Sequence, residues 1–574
     1  MQLVGSKHRR TATYLLFFNL FFIVEEIFME RFDAIIIGGG ATGAEVARDL
    51  TLRGLKTVLL ERHDLSSGTS GRSHGLLHSG GRYVVKDKES ARECAEESKI
   101  LLEIASNSVH LTGGLFVGIS GIDDPEFKDQ FIQGCRECNV EFKELSHKET
   151  LQMEPFINED VETAFHVNDG SVYPFRLIVE TALQAAQLGA SIRTYSEVIA
   201  LHKDNMAITG VRVKDHRKGN IYDLYADFVI NATGVWARKI AELADIHIPI
   251  TPSKGVMVII DRRLFTRVVN RLRFPANGDI IVPHISTAII GTTSVSMDSP
   301  DESPVTSAEV DEMIREGAIL SPFVKEARMV RAYAGNRPLL GAEPGEEGRE
   351  ISRTFKVLDH ETRDGVSGLI TITGGKLTTY RLMAEKTSDL VAKKLGIRAD
   401  CVTHKTKLPG AEEQDLNFVE IAKKLKIPWL LTERTIGRWG AAAKTIFATM
   451  EENPVTRLTA CSCEYVSNAE VKYIIDEMWA YSLEDICKRT QAGFGICQGG
   501  LCTLKLAHQL FEYSKDNEIA DIQKAIIDFI EERWNGTKFV LWMNQLRQEL
   551  LSQSVFSCVG NYDQLYKKLL ESRE

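Results

Sequence analysis

Three glycines with the spacing G-x-G-x-x-G, Gly38, Gly40 and Gly43, form the first pattern in the sequence that can do chemistry. Residues without a Cβ atom let a pyrophosphate lie against backbone amides at the positive end of a helix dipole. Glu61 follows about twenty residues later, where its carboxylate can accept hydrogen bonds from a ribose 2′-hydroxyl. The pattern predicts a dinucleotide site. The alternative is a tight strand-to-helix turn that binds nothing.

Residues 63–83 (HDLSSGTSGRSHGLLHSGGRY) combine five glycines and six Ser or Thr residues with several cationic and aromatic side chains. Small residues let backbone amides and hydroxyls reach phosphate oxygens and ring edges of a cofactor. A flexible linker is the alternative, but the density of His, Arg and Tyr argues against a spacer. We therefore predict cofactor contacts from this stretch and the residue before it, at Arg62, Thr69, Ser70 and His74.

Two later strands also run into glycine turns, at residues 231–236 (NATGVW) and 368–381 (GLITITGGKLTTYR). The helix that follows the second turn places positive partial charge where a reduced flavin accumulates negative charge, and Lys376 adds a full charge. Three such turns suit one extended FAD, whereas NAD would require another G-x-G-x-x-G unit, which the sequence lacks. The predicted FAD contacts in these turns are Ala232, Gly234, Gly374, Gly375, Lys376, Leu377 and Thr378.

Alternating strand and helix patterns position these turns. Strands are predicted over 34–37, 57–60, 115–119, 191–195 and 228–230, and helices from the first glycine turn to Gly54 and over 88–105, 127–138, 174–188 and up to about 395. This order predicts an α/β fold with a doubly wound sheet. Cys135 and Cys138 fall on one predicted helix without a second Cys or His pair nearby, so packing is favoured over metal binding.

Composition narrows the class of protein. The chain has 574 residues, 44% hydrophobic and 26% charged, which is typical of a soluble globular chain of two to four domains. A net charge of −10 without a long basic tract argues against nucleic acid as a partner. Ten cysteines are too few for a disulfide scaffold, and the dinucleotide pattern indicates a reducing compartment.

Residues 1–28 do not follow this pattern. The apolar run 14–24 is too short to cross a hydrocarbon core of about 30 Å, and no small-residue cleavage site follows it. A signal or anchor is one interpretation. We favour the other, in which translation begins at Met29 and residues 1–28 are a start-site artefact.

Five motifs together resemble the FAD-dependent glycerol-3-phosphate dehydrogenases over residues 32–395. They are DAIIIGGGATG at 33–43, HGLLHSGGRY at 74–83, NATGVW at 231–236, AYAGNRPL at 332–339 and TGGKLTTYR at 373–381. The resemblance implies an α/β FAD-binding, Rossmann-like domain interleaved with an α+β substrate domain. With the cysteine motifs described next, it implies five segments: an extension (1–28), the FAD-dependent oxidoreductase domain (29–396), a connecting region (397–455), a small helical [2Fe-2S] domain (456–510) and a helical tail (511–574).

Four cysteines near the carboxyl end, Cys461, Cys463, Cys497 and Cys502, form C-x-C and C-x4-C motifs. Thiolates from two such loops can converge, and the spacing resembles the bacterioferritin-associated-ferredoxin-like [2Fe-2S] domain. Structural zinc also binds four cysteines, but usually as wider C-x2-4-C pairs. We favour a [2Fe-2S] cluster over zinc and over unliganded thiols.

The family resemblance also implies a substrate, sn-glycerol 3-phosphate, and roles for particular side chains. A phosphate dianion requires several guanidinium or ammonium donors. Arg337 and Arg353 match positions that bind the phosphate, while Arg82, Tyr83 and Lys376 match positions that line the flavin and the substrate hydroxyls. The predicted catalytic residues are His78, Arg82 and Lys376, with His78 as the candidate base. Alternatively, each arginine forms a surface ion pair and His78 is a core or flavin-contacting residue.

The implied reaction is hydride transfer from C2 of the substrate to FAD, with electrons passing through the cluster to partner subunits and the quinone pool. The implied location is the cytoplasm, peripherally at the inner face of the membrane. Two rivals remain open. One is an FAD-dependent dehydrogenase or oxidase of another small hydroxy acid or amine, and the other is a non-catalytic electron-relay protein.

Overall fold

A mostly parallel sheet carries the three glycine turns in the computed structural model, which describes residues 30–341, 351, 353–412, 415–514, 522–541 and 543–560. Its central strand, Arg31–Ile37, lies parallel between Thr57–Leu60 and Ile221–Asn231. Ser191–Arg193 and Leu369–Gly374 extend the parallel part on either side. Because these strands are parallel, their carboxyl ends, which carry the turns, meet at one edge.

Three antiparallel strands complete this first sheet, and three helices pack together beside it. The antiparallel strands are Ser196–Asp204, Ala207–Asp215 and Phe355–Asp359. Helix Ala41–Leu52, which follows the first glycine turn, packs against Pro174–Gln187 and Tyr380–Leu395. The strand residues Ala34, Ile35, Ile36 and Leu59 are fully buried, as expected for a sheet covered on both faces.

A second, mainly antiparallel sheet lies beside the first. Its strands are Gly114–Ile119, Phe142–Leu145, Val161–Val167, Ile250–Ile260, Val268–Arg271, Ile280–His284, Thr287–Gly291, Val295–Ser296 and Met329–Leu340. The chain enters and leaves this sheet between strands of the first, which confirms a mixed α/β fold. Short strands Leu76–Leu77, Val109–His110 and Gly170–Val172 form a third sheet.

The carboxyl-terminal part is helical. Its helices are Phe418–Leu425, Trp429–Trp439, Ala443–Glu452, Asn468–Glu477, Leu483–Thr490, Thr503–Tyr513, Ile522–Thr537 and Asn544–Gly560, with a two-stranded ribbon of Thr459–Cys461 and Val466–Ser467. The remaining α-helices of the described residues are Lys88–Ile104, Phe127–Glu137, His147–Met153, Ala237–Glu242, Ser307–Leu320 and His360–Asp364. No helix among the described residues is both long and apolar enough to cross a membrane.

Most element predictions agree with these bounds to within two or three residues. For the segment between Cys463 and Cys497 the sequence predicts one helical stretch, but the structure has two helices with separate capping boxes at Ser467 and Ser482. Cys135 and Cys138 are buried in an aromatic cluster, which confirms their packing role. The predicted extension 1–28 lies outside the described residues.

Candidate functional site

One cavity of about 1120 Å³ lies at the edge where the glycine turns meet. Its wall combines the turns of the first sheet with residues 67–87 and strands of the second sheet. The predicted site residues on this wall are Gly38, Gly40, Glu61, Arg62, Thr69, Ser70, His74, His78, Arg82, Tyr83, Ala232, Gly234, Arg337, Arg353, Gly374, Gly375, Lys376 and Leu377. Two predicted residues contact the wall without lining the cavity: Gly43 packs against Gly38, and Thr378 Oγ1 accepts a hydrogen bond from the His78 amide at 3.2 Å.

Glycine backbone forms one end of the cavity. Gly38 has a φ of 110°, and a Cβ atom there would lie 2.7 Å from the carbonyl oxygen of Ala232. A Cβ atom on Gly43 would lie 1.9 Å from the carbonyl oxygen of Gly38, so Gly43 lets the helix pack against the turn. The helix begins at Ala41, whose amide donates to Ser70 Oγ at 3.1 Å. This end can cradle a pyrophosphate.

Glu61 lies beside the glycine turn, and its carboxylate accepts hydrogen bonds from two backbone amides. Oε2 accepts a hydrogen bond from the Gly39 amide at 2.7 Å, and Oε1 accepts one from the His63 amide at 2.9 Å. Burial raises the pKa of Glu61 despite these donors. Each oxygen retains a second acceptor position, so a ribose hydroxyl on the cavity side remains compatible with this arrangement.

Charged side chains form the other end of the cavity. Arg82 pairs with the fully buried Asp279 at 3.1 Å. Lys376 Nζ donates to Ser90 Oγ at 2.8 Å and to the Arg353 carbonyl at 2.9 Å, and it lies 5.0 Å from the centre of the Tyr83 ring. Because these cations line one half-buried wall, they favour an anionic ligand.

Two histidines lie among these cations. The His78 ring centre is 5.2 Å from that of Tyr83 and 6.0 Å from that of His74. Burial, with the charges of neighbouring cations added, lowers the pKa of His78 well below its usual value and that of His74 to about 3. Both imidazoles are therefore neutral near pH 7. A neutral imidazole can accept a proton.

Arg337 reaches the cavity from a strand of the second sheet. Its Nη2 atom donates to Thr292 Oγ1 and, at 3.2 Å, to the Thr293 carbonyl. Thr69 Oγ1 donates to the carbonyl of the preceding residue, Asn336, at 2.6 Å. The strand of Arg337 is therefore connected directly to the stretch after Glu61.

Several supporting residues were not found from the sequence. Asp279 forms an ion pair with Arg82, Thr292 accepts a hydrogen bond from Arg337, and Asp169 accepts hydrogen bonds from both the amide and the hydroxyl of Ser79 at 2.8 and 2.7 Å. None belongs to a recognisable motif, and each lies far along the chain from its partner. The available signal was weak, since a single Asp or Thr outside any motif is ordinarily structural.

The four predicted ligand cysteines come together as two pairs, each with one member from each motif. Cys463 Sγ lies 3.4 Å from Cys497 Sγ, and Cys461 shares a hydrogen bond with Cys502. That bond, with backbone amides including that of Gly493, lowers the pKa of Cys461 to about 6. Among the described residues, no three or more His, Cys, Asp or Glu residues are arranged to hold one metal ion.

Helix Leu483–Thr490 joins the cysteine region to the cavity wall. Arg489 forms a buried ion pair with Asp64, with contacts of 2.7 and 2.9 Å, and Lys488 Nζ donates to Ser67 Oγ at 3.2 Å. Just past the helix, Gly493 contributes an amide to Cys461. Ser67 lines the cavity, so six residues of continuous chain, 488–493, connect a polar contact on the cavity wall to a contact on the thiols.

The fold and this glycine-lined cavity define the class. The family model for FAD dependent oxidoreductases matches residues 33–381, and the chain belongs to this family of oxidoreductases. The glycerol-3-phosphate dehydrogenase of Bacillus halodurans, solved with FAD, has a similar fold, with a TM-score of 0.69 at 22% identity over 90% of this chain and 97% of that one.

Relatives of higher sequence identity indicate which members of this family the chain resembles. The chain is 41% identical to one subunit of the anaerobic glycerol-3-phosphate dehydrogenase of Escherichia coli (strain K12), over 91% of this chain and 96% of that protein. It is 39% identical to one subunit of the anaerobic glycerol-3-phosphate dehydrogenase of Haloferax volcanii, over 92% of this chain and 91% of that protein. The match to the Escherichia coli protein spans 526 of the 574 residues, so it must extend past residue 502. It therefore covers the positions of all four cysteines.

Proposed function

We propose that this chain oxidises sn-glycerol 3-phosphate to dihydroxyacetone phosphate, with FAD as hydride acceptor and a [2Fe-2S] cluster on the four cysteines as onward electron carrier. One observation carries the proposal: a single cavity joins the glycine turn at Gly38, where a Cβ atom would lie 2.7 Å from the Ala232 carbonyl oxygen, to a wall with Arg82, Arg337 and Lys376. The names of the relatives supply the substrate.

The residues of the cavity divide the work. Arg337 and Arg353 would bind the phosphate, while Lys376 and Tyr83 would orient the hydroxyls. Bound FAD supplies an acceptor for the hydrogen on C2. His78, neutral because it is buried, would take the proton of the C2 hydroxyl. The phosphate dianion offsets the surrounding positive charge and thus favours the imidazolium that forms.

The cysteine pairs fit a two-iron cluster in their donor chemistry. A [2Fe-2S] cluster takes four thiolates, two on each iron, which matches two pairs better than one convergent site for zinc. Such a cluster supplies one-electron transfer. Helix Leu483–Thr490, which contacts the cavity wall through Arg489 and Lys488, keeps the thiols close to the cofactor end.

Partner subunits complete the proposal. The relatives are named as single subunits, which indicates an enzyme of several chains, and we infer that partners carry the electrons to the quinone pool at the inner face of the membrane. Peripheral attachment through those partners is the arrangement we propose for this chain.

Anaerobic titration tests the substrate. Glycerol 3-phosphate should bleach the flavin absorbance of the purified protein, whereas lactate, 2-hydroxyglutarate and glycine should not. Bleaching by glycine or a hydroxy acid instead would favour an oxidase or dehydrogenase of that substrate. Absence of bleaching by every small alcohol would favour an electron-relay protein.

Metal analysis tests the cluster separately. Protein purified without oxygen should contain two irons and two acid-labile sulfides per chain, as a [2Fe-2S] cluster requires. A Cys463→Ser variant should lose both while keeping FAD, and Cys135→Ser, in the buried aromatic cluster, is the control that should keep both. Stoichiometric zinc without sulfide would contradict the proposal.

A further inference from the structure

Two glycines face each other in the middle of the longest strand pair of the second sheet. Ile250–Ile260 and Met329–Leu340 are antiparallel, with Gly255 opposite Gly335 and Ser253 opposite Arg337. Side chains two residues apart on a strand share a face, so Arg337 projects from the face on which both glycines lack a side chain. Glycine in a strand interior weakens the strand and marks close approach of another group.

The guanidinium of Arg337 occupies one half of this hollow. A Cβ atom on Gly255 would lie 2.4 Å from Nη2 of Arg337 and 2.8 Å from Cζ. The same Nη2 atom donates to the hydroxyl of Thr292 and to the carbonyl of Thr293. Gly255 and Thr292 therefore fix the position of the guanidinium together.

The stretch after Glu61 occupies the other half. A Cβ atom on Gly335 would lie 2.5 Å from the carbonyl oxygen of Arg72. On either side of that contact, Thr69 Oγ1 donates to the Asn336 carbonyl at 2.6 Å, and Tyr333 OH donates to the Ser73 carbonyl at 2.8 Å. This backbone contact cannot move aside as the end of a flexible side chain could.

We infer that the Gly255–Gly335 hollow is a positioning element that sets the distance between the phosphate-binding guanidinium and the cofactor wall. Gly255 acts on the substrate through Arg337, and Gly335 acts on the cofactor through residues 69–73. The inference rests on the proposed role of Arg337. A methyl group at either glycine should therefore disturb one of the two ligands and largely spare the other.

Steady-state kinetics with glycerol 3-phosphate test the substrate half. Gly255→Ala should raise KM about 10- to 100-fold, since a charge-assisted hydrogen bond is displaced. The inhibition constant of inorganic phosphate should rise in parallel, with kcat within about twofold and flavin content unchanged. Thr292→Val, which removes the acceptor without adding bulk, should give the same pattern with a KM change of about fivefold.

Flavin titration tests the cofactor half. Gly335→Ala should weaken FAD binding about tenfold or more, because backbone must shift to accommodate the methyl group. Gly118→Ala is the matched control. Gly118 lies in a strand of the same sheet, where an added Cβ would meet its nearest atom at an ordinary 3.6 Å, so KM and FAD affinity should not change.

Arg337→Ala separates failure of the inference from failure of the proposed function. If Arg337→Ala raises KM but Gly255→Ala and Thr292→Val do not, the positioning role is wrong and the phosphate site stands. If Arg337→Ala leaves KM unchanged, the proposed phosphate site itself is wrong. Equal loss of flavin in the Gly255 and Gly335 variants would also overturn the division of roles. If Gly255→Ala does not fold, Thr292→Val decides the substrate half.

Discussion

The two ends of the cavity are built by different means. The end near Gly38 uses backbone and small side chains, so it depends on the absence of atoms. The end near His78 uses charged and titratable side chains. Among the buried carboxylates that support them, Asp279 pairs with Arg82, and Asp169 accepts a hydrogen bond from the amide of Ser79, the residue after His78. An added methyl group should therefore disrupt the first end, whereas removal of a functional group should disrupt the second.

The largest effect is expected at the glycine end. Gly43→Ala would place a Cβ atom 1.9 Å from the carbonyl oxygen of Gly38, which neither the helix nor the turn can accommodate without moving. We expect protein without bound FAD and without activity. Absorbance of the purified variant and reconstitution with FAD measure this.

Gly437→Ala is the control for that substitution. Gly437 lies in helix Trp429–Trp439, and nothing lies within 4 Å of an added Cβ. Because alanine has the higher helix propensity, we expect full flavin content and about 0.5 to 1 kcal/mol of added stability. Flavin retention by Gly43→Ala would mean that the glycine end tolerates added atoms.

The next effect is expected at the charged end. His78→Gln should lower kcat about 10²- to 10⁴-fold, the usual range for loss of a general base, and should leave flavin content unchanged. Stopped-flow measurement of flavin bleaching isolates the chemical step. If bleaching keeps its wild-type rate, His78 is not the base, and its role is limited to packing beside Tyr83.

The two ends of the cavity also differ in how much of their structure could be predicted from the sequence. The glycine end comes from short contiguous motifs, and strand Thr57–Leu60 and the turns at Gly38 and Gly374 are found where the sequence placed them. The charged end depends on contacts such as Arg82 with Asp279, which lie 197 residues apart. No local pattern encodes such a pairing.

The cysteine region adds an intermediate case. The spacing of the four cysteines predicts two loops that meet, and the structure brings the thiols together in pairs. The break between its two helices was missed although Ser482 and Asp485 form a capping box. That local signal was available, because Ser-x-x-Asp before an apolar helical pattern marks a helix start.

A smaller effect is expected at a residue that supports His78 without lining the cavity. Asp169→Ala would leave the amide and hydroxyl of Ser79 and the side-chain amide of Asn270 without their acceptor. Each donor left without an acceptor lowers the free energy of unfolding by about 1 to 3 kcal/mol. Displacement of the loop that carries His78 and Ser79 should lower kcat about tenfold. Thermal unfolding and kcat would be measured together. A stability loss with normal kcat would show that Asp169 does not position His78.

The smallest effect concerns stability and pH rather than activity. The folded pKa of His74 is about 3, against about 6.5 in the unfolded chain, because the buried imidazole lies near Arg337 and Arg82. Between these values the unfolded state binds the additional proton, so stability is complete above about pH 6.5 and falls as the solution is acidified. The loss from this one group is about 1.4 kcal/mol per pH unit.

His74→Gln removes that titration while keeping a side-chain acceptor for the Leu76 amide. The urea unfolding free energy of the variant should therefore fall less steeply between pH 6.5 and 4.5 than that of the wild type. His78 and His284, whose pKa values burial also lowers, contribute to the slope of both proteins. Parallel lines for the two proteins would mean that His74 binds its proton equally well in the folded and unfolded states. The charged end would then gain one positive charge as the pH falls below about 6.5.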